Sequence, residues 1–273
     1  MYIKRISSLL ACCLFIINTA YAQKEKGENN SASISIGSGG IEVSKDKKKD
    51  KKEEAFNVKF GGVDIGIISL QDQTNYNSTA AQSFLNVPQA SRNENLFDLN
   101  SGKSINVNVW LVEAGWNLLK KYERQKIIIS SGVGLQMYNF RFNKQITYTN
   151  ETVPSLHLDT LAHLTKNKLG FTFLSVPLNL TFKTKAGKKT WLVYGIGATG
   201  GYRIASWTKQ ISPERGKQKN RDPFNFNDFN ACLTAQVGLD GYFRLYTSYQ
   251  ITPLHETALT QYPLSIGIRI GGI

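Results

Sequence analysis

Three histidines, His157, His163 and His255, have the side chains best suited to acid–base chemistry in this sequence. A histidine beside a serine or an aspartate can serve as the base of a hydrolase or an acyltransferase. No GxSxG, HExxH or paired-carboxylate motif accompanies them, so we expect plain surface residues of polar loops, with a loop-based enzyme as the alternative. His157 and His163 flank Asp159, but two imidazoles in one loop indicate a metal only weakly, and we predict no metal and no cofactor.

Five charged residues occupy the polar side of segments in which every second residue is apolar: Asp64, Glu113, Arg203, Arg244 and Arg269. A bare charge is costly in a narrow interior of low dielectric, so these residues should neutralise one another. If the sheet closes on itself, its first strand lies beside its last. We therefore predict that Asp64 or Glu113 pairs with Arg244 and Arg269 as a structural plug, with a gated proton or ion path as the alternative.

Basic residues concentrate in two kinds of connection, and the formal net charge of the chain is +13. The short turns carry Lys120, Lys121, Arg124, Lys126, Lys183, Lys185, Lys188 and Lys189. The third long loop carries Lys209, Arg215, Lys217, Lys219 and Arg221. Such a charge favours an anionic partner. We predict contacts with phospholipid phosphates at the turns and with lipopolysaccharide at the loop, and no nucleic acid. Ordinary solvated turns are the alternative.

Large aromatic residues recur near the inferred strand ends or on the apolar face: Trp110, Trp116, Trp191, Tyr194, Tyr202, Trp207 and Tyr249. This distribution is typical of the interfacial aromatic girdles of membrane proteins. A sugar-binding platform on the loops is the alternative interpretation.

The elements that must position these residues are strands, because hydrophobicity alternates with a period of two from Phe56 onward. The stretch LTAQVGLDGYFRLYTSYQ, residues 233 to 250, reads as two such strands joined by a tight turn. The pattern predicts eight strands near 56–69, 104–118, 126–142, 169–183, 190–207, 226–239, 241–251 and 262–272.

Long and short connections alternate strictly between these strands, which is typical of an outer-membrane barrel with short periplasmic turns. We therefore predict an all-β fold, an eight-stranded antiparallel up-and-down transmembrane β-barrel whose apolar face meets lipid. An even strand count places both chain ends in the periplasm. Eight strands leave room only for side chains in the interior, so a general diffusion pore is not expected.

The first residues, MYIKRISSLLACCLFIINTAYAQ, have the basic start, short apolar run and Ala-x-Ala ending of a secretory signal, here assigned to residues 1–22. A lipoprotein box at Leu9 to Cys12 is the alternative. Removal of the signal leaves Cys232 alone, so no internal disulfide can form. Residues 23–55, including SKDKKKDKKEE, read as a charged, disordered periplasmic linker with room for a small hairpin at ISIGSGGIEV, and residues 56–273 as the barrel domain.

Several of these strand segments carry a family resemblance. The stretches NVWLVEAGWNLLKKYERQKIIISSGVGLQMYNFRF, FLSVPLNLTF, GGYRIASWTKQ and YPLSIGI resemble strands of the PorT-type outer-membrane β-barrel family of Bacteroidota, often labelled a porin family. The resemblance covers roughly residues 56 to 273. It implies the location and the fold, and it suggests a protein-export machine of the same membrane as a partner. Many such barrels end on an aromatic residue, whereas the last residue here is Ile273.

These observations together predict a monomeric, non-enzymatic outer-membrane protein that acts as a scaffold or binding protein through its loops or its periplasmic tail. Its expected partners are outer-membrane lipids, lipopolysaccharide and an envelope protein complex. A hydrolase or acyltransferase using a loop histidine and a narrow ion channel are the alternatives.

Overall fold

A computed structural model describes residues 32–37, 40–45, 56–119, 124–150, 153–187 and 190–273 of the chain. These residues are mostly in β-strands: β1 (Ala32–Gly37), β2 (Gly40–Lys45), β3 (Phe56–Asp72), β4 (Leu85–Asn86), β5 (Ile105–Asn117), β6 (Gln125–Arg141), β7 (Ile146–Thr149), β8 (Ser155–Leu158), β9 (Lys166–Lys185), β10 (Trp191–Ser212), β11 (Gly216–Asn220), β12 (Phe229–Leu239), β13 (Arg244–Gln250) and β14 (Gln261–Ile270). The helical segments are short: α1 (Thr79–Phe84) and two 3₁₀ turns at Gln89–Ser91 and Glu94–Phe97. None of the helices within the described ranges is long and apolar enough to span a membrane.

The long strands form one large antiparallel sheet that rings round. Its neighbours follow the order β3, β14, β13, β12, β10, β9, β6 and β5, and β5 then pairs with β3. The central residues of β3 are thus paired on both sides, for example Asp64 with Arg269 on β14 and with Asn108 on β5. All these strands lie in the unit formed by Ile34–Ser44 and Asp50–Ile273.

Each predicted strand has a counterpart, but β9 and β10 extend further into the long connections than the alternation indicated. The connections also have structure of their own. Beyond the end of the predicted strand at residue 207, β10 continues and pairs with β11 as a hairpin. A separate small sheet joins β4, β8 and β7.

The two faces of the ring sheet differ sharply in burial. Apolar side chains point outward and are exposed; Ile196 is 64% exposed, Leu178 56% and Leu233 52%. Polar side chains point inward and are buried, and Asp64, Asn108 and Gln136 are each 0% exposed. The exposed face of this sheet is therefore its apolar face, which is the reverse of a water-soluble sheet with one buried side.

Two β-bulges change which residues of a strand face inward. The register shifts between Trp110 and Val112 on β5, and between Arg203 and Ala205 on β10. Because a bulge adds one residue to one strand, side chains beyond it exchange faces relative to a strict period of two. Trp110 and Glu113 consequently both lie on the buried side of β5 although their numbers differ in parity.

The interior changes character along the strands. Its part near the short turns is polar, whereas its part near the long loops is a hydrophobic and aromatic core. All four long connections contribute to that core, with Phe84, Phe97, Tyr148, Leu156, Phe224, Phe226, Leu254 and Leu259 packed against Tyr138, Phe140, Phe171 and Phe173 of β6 and β9. We call this cluster the loop core. The alternation of the strands predicts a polar interior and does not indicate the loop core.

The signal assigned to residues 1–22 lies outside the described residues, as does most of the linker assigned to residues 23–55. Within that linker, β1 and β2 are neighbouring strands at ISIGSGGIEV, where the sequence leaves room for a small hairpin. The second of them also pairs with β3, through Ile41 opposite Phe60 and Glu42 opposite Lys59.

Candidate functional site: interior charges and basic outer face

Asp64 is the centre of a buried polar network inside the ring. Arg269 binds it through two hydrogen bonds, from Nε to Oδ1 at 2.5 Å and from Nη2 to Oδ2 at 2.8 Å. Trp110 Nε1 and Asn108 Nδ2 donate to Oδ2 at 2.8 and 3.1 Å. The guanidinium of Arg269 also lies 5.4 Å from the ring centroid of Tyr246. The carboxylate is therefore both neutralised and saturated with donors, as a buried charge requires.

The strand register explains why these residues meet. Asp64 is directly opposite Arg269, and Arg269 is directly opposite Arg244, so the three form one row across β3, β14 and β13. The predicted pairing of Asp64 with Arg269 is present. The supporting residues Asn108, Trp110 and Tyr246 were missed.

Among the described residues, Arg244 forms no ion pair with an aspartate or glutamate side chain, which corrects the predicted plug. Its Nη1 donates to the backbone oxygen of Ile273 at 2.7 Å, and its Nη2 donates to the backbone oxygen of Gly271. Glu113 likewise accepts from the backbone N–H of Ile273, at 3.2 Å. Gly271 and Gly272 adopt positive φ values of 73° and 74°, a conformation that favours glycine. This turn carries Ile273 into the interior, where it is 2% exposed.

Arg203 was predicted to belong to the same cluster, and this prediction is wrong. It lies at the bulge of β10, where its Nη2 contacts Asp228 at 2.6 Å and its Nη1 donates to Ser206 at 2.7 Å. Its remaining donors bind the backbone oxygens of Phe226 and Asn227. Arg203 therefore anchors the third long loop to β10 and takes no part in the network around Asp64.

The basic residues of the short turns do not form one exposed set. Lys183 points inward and pairs with Asp240 at 2.8 Å, which corrects its assignment to a lipid-facing rim. Lys126 lies over the ring of Trp191, 4.8 Å from its centroid. Arg124 and Lys185 are exposed. The remaining predicted members, Lys120, Lys121, Lys188 and Lys189, lie outside the described residues.

The basic residues of the third loop divide into two groups. Arg215 forms an ion pair with the buried carboxylate of Asp159, at 2.5 and 3.3 Å, so it is not available to a ligand. Arg221 is exposed. Lys209, Lys217 and Lys219 instead share the outward face of β10 and β11 with residues that the sequence analysis did not select. We call this set the basic face, and its members are Arg141, Lys166, Lys168, Lys209, Lys217 and Lys219.

The three histidines differ in their surroundings. His255 is 1% exposed, so its prediction as a surface residue is wrong. Its ring packs against Phe226, Phe84 and Tyr148 with centroids 4.6, 5.7 and 6.1 Å away. Neither ring nitrogen has a partner among the described residues, and burial lowers the pKa of His255 to about 3.

The other two histidines take part in simple loop contacts. His163 is exposed and its Nδ1 lies 3.1 Å from Glu214. His157 Nδ1 lies 3.2 Å from the hydroxyl of Thr149 on the neighbouring strand. No group of three or more His, Cys, Asp or Glu that could hold a metal occurs within the part of the chain that the structure describes.

The predicted outward placement of the aromatic residues is confirmed for Trp116 and Tyr194, but it is wrong for Trp110. Trp191 shares the inward side of β10 with the buried Val193. Trp116 and Tyr194 are 48% and 41% exposed on the outer face. Trp110 is instead 1% exposed and points inward, because the bulge on β5 follows it. A Cβ at Gly134, its cross-strand partner, would lie 2.5 Å from Cε3 of Trp110, so only glycine leaves room for the indole ring.

The fold thus defines an all-β protein with a large antiparallel sheet that rings round, a charged and aromatic interior, and an apolar outer face. A search against protein-family models finds no match for the chain, and no curated protein sequence matches it.

Proposed function

We propose that the chain is an eight-stranded transmembrane β-barrel of the outer membrane, and that it acts as a non-enzymatic scaffold or binding protein through its long loops or its N-terminal segment. The observation that carries this proposal is the inverted burial of the ring sheet. Ile196, Leu233 and Ile266 are each more than half exposed, at 64%, 52% and 54%. Exposed apolar patches of this extent are unfavourable in water. They are stable when the outer face of a closed sheet contacts the acyl chains of a membrane.

The filled interior favours a scaffold over a channel. Near the short turns, the void lined by Asn179, Gln236, Tyr246 and Arg269 is too small for a water molecule. Near the long loops, the loop core fills the ring with aromatic side chains. Ions would have to cross both layers, so transport is a weaker candidate than binding at the ordered loops.

The surroundings of the histidines give the enzymatic alternative no support. A general base must reach the proton that it abstracts. His255 is enclosed by three aromatic rings, His163 contacts Glu214, and His157 contacts the hydroxyl of Thr149. We therefore keep the scaffold as the proposal. Relationship to the PorT-type family, and hence partnership with a protein-export machine, remains part of this proposal and rests on the strand resemblance.

A pair of matched substitutions tests the membrane assignment. Leu233→Arg places a charge in the middle of the outward apolar face, whereas Leu161→Arg changes an exposed leucine of a long loop, which is 79% exposed. A charge at the midplane of a lipid-facing barrel costs about 2–4 kcal/mol. We expect Leu233→Arg to reduce the heat-modifiable band recovered from the outer-membrane fraction, and Leu161→Arg to leave it unchanged. Equal recovery of both variants from a water-soluble fraction would refute the proposal.

Cross-linking then tests whether the protein acts as a scaffold for an envelope protein. Gentle detergent extraction of the native outer membrane after brief cross-linking should recover the heat-modifiable protein together with a stoichiometric envelope protein. Recovery of the protein with no partner, from intact membranes, would contradict the assembly role and leave the barrel assignment standing.

A further inference from the structure

We propose that the basic face binds the phosphate groups of a phosphorylated glycolipid in the outer leaflet. This inference rests on the proposed function, because it requires the apolar face below the site to lie in lipid. It deepens that function by naming a ligand chemistry, and it adds Arg141, Lys166 and Lys168 to three lysines of the third-loop set expected from the sequence.

The strand register assembles the basic face from four neighbouring strands. Arg141 on β6 is opposite Lys168 on β9, Lys168 is opposite Lys209 on β10, and Lys209 is opposite Lys219 on β11. Because adjacent strands are about 4.8 Å apart, this row places four cations within roughly 15 Å. Lys166 and Lys217 lie two residues further along β9 and β11, on the same face.

No carboxylate in the described ranges forms an ion pair with any of these six residues. The nearby acids are already engaged, Asp159 with Arg215 and Glu214 with His163. Like charges directly opposite each other across a sheet are destabilising, so the row is unfavourable without an anion. Phosphate is an anion that lysine and arginine bind well.

Trp207 indicates the level of the row of cations relative to the membrane surface. Its ring lies against Gly170 on the next strand, where a Cβ would overlap the indole. The ammonium groups of Lys168 and Lys219 lie 5.2 and 4.8 Å from the ring centroid. Tryptophan is enriched at the level of the membrane–water interface, so the cations stand where lipid headgroups begin.

The same face of β9 becomes apolar below Trp207. Leu174, Val176 and Leu178 point outward and are 40%, 48% and 56% exposed. A ligand with a phosphorylated sugar headgroup and several acyl chains would contact the cations, the indole and these side chains together. Free phosphate would contact only the cations. The presence of the indole and the apolar side chains beside them therefore favours the glycolipid.

Binding of lipid A to the full-length protein in detergent micelles tests the proposal. Native mass spectrometry would compare lipid A carrying two phosphates with its dephosphorylated form, for the wild type and for Lys168→Gln/Lys209→Gln. The matched control is Lys103→Gln/Lys144→Gln, which removes the same charge from two exposed lysines outside the basic face. Since a basic residue near a lipid surface contributes about 1 kcal/mol, the first variant should bind diphosphorylated lipid A roughly thirtyfold more weakly. The control should bind like the wild type.

Different results would overturn the proposed function and the glycolipid site. Each variant is first checked for its heat shift, and Lys217→Gln/Lys219→Gln on the exposed hairpin replaces the first variant if that one does not fold. A wild type without a heat shift or membrane insertion overturns the proposed function. A folded, inserted wild type that binds both lipid forms equally, or that is unaffected by both basic-face variants, overturns the glycolipid site alone.

Discussion

Asp64 and Arg269 are 205 residues apart in the chain, yet they are direct partners where β3 pairs with β14. Their bidentate contact joins the first and last strands of the ring. The Coulombic attraction of a buried ion pair is offset by the cost of removing both charges from water. We infer that this pair contributes mainly to the register in which the ring closes, because a shift of β14 by one residue would turn Arg269 outward.

Removal of Arg269 should be strongly destabilising. Arg269→Ala leaves the Asp64 carboxylate buried without its cation, a change that costs about 3–5 kcal/mol in comparable sites. The urea concentration at which the heat-modifiable form is lost should fall accordingly. Arg221→Ala, which removes an exposed arginine, is the control and should match the wild type.

The double substitution Asp64→Asn/Arg269→Met separates the effect of the unpaired carboxylate from the effect of losing the arginine side chain. It removes both charges, so it should recover part of the stability lost in Arg269→Ala. An unchanged stability of Arg269→Ala would show that the contact has no role in closure.

The strands of the ring could be predicted because each carries its own alternation, as in the run from Phe229 to Leu239. Closure of the ring, which brings the first strand to the last, limited the predicted partner of Arg269 to Asp64 or Glu113, and the structure shows that it is Asp64.

Trp110 was misplaced because a bulge separates it from Glu113, and a bulge has no signature in hydrophobic periodicity alone. The side chain of Arg203 is buried, as the alternation indicates, but it lies near the third long loop. The residue of β10 in the row of Arg244 and Arg269 is instead Val193.

Two other features depend on tertiary contacts between distant segments. The loop core draws Phe84, Tyr148 and Phe226 from three separate connections, and His255 packs against it from a fourth. None of these connections shows a regular apolar period. The basic face combines Lys168 with Lys219 only because β11 folds back on β10. Counting charges loop by loop therefore found half of its members.

Glycine at position 134 should be required for the interior network. In Gly134→Ala, the new methyl group would lie 2.5 Å from Cε3 of Trp110 and 2.6 Å from the backbone oxygen of Val109. Trp110 would have to leave its hydrogen bond to Asp64, so we expect a loss of roughly 2–3 kcal/mol. The control is Gly200→Ala, whose methyl group meets nothing within 4 Å.

Fluorescence and urea unfolding together check this prediction. The emission of the buried Trp110 should shift to longer wavelength in Gly134→Ala, and its unfolding midpoint should fall. Equal midpoints for the two alanine variants would mean that the indole is not confined as the structure describes.

Protonation of His255 should destabilise the loop core in acid. Burial lowers its pKa from the ordinary 6.5 to about 3, so the folded state holds the neutral ring while the unfolded chain takes up a proton. The stabilising contribution is complete above pH 6.5 and is lost progressively as the pH falls towards 3. The free energy of unfolding should fall by about 1.4 kcal/mol for each pH unit within this window.

His255→Phe tests this directly, because phenylalanine keeps the contacts with Phe84, Tyr148 and Phe226 and cannot be protonated. Carboxylates also titrate in acid, so the informative quantity is the difference in unfolding free energy between variant and wild type at each pH. This difference should grow in favour of the variant as the pH falls from 6.5 to 4. His163→Phe changes an exposed histidine and should show no such trend. A constant difference for His255→Phe would mean that position 255 is hydrated in solution and that the loop core is open to water.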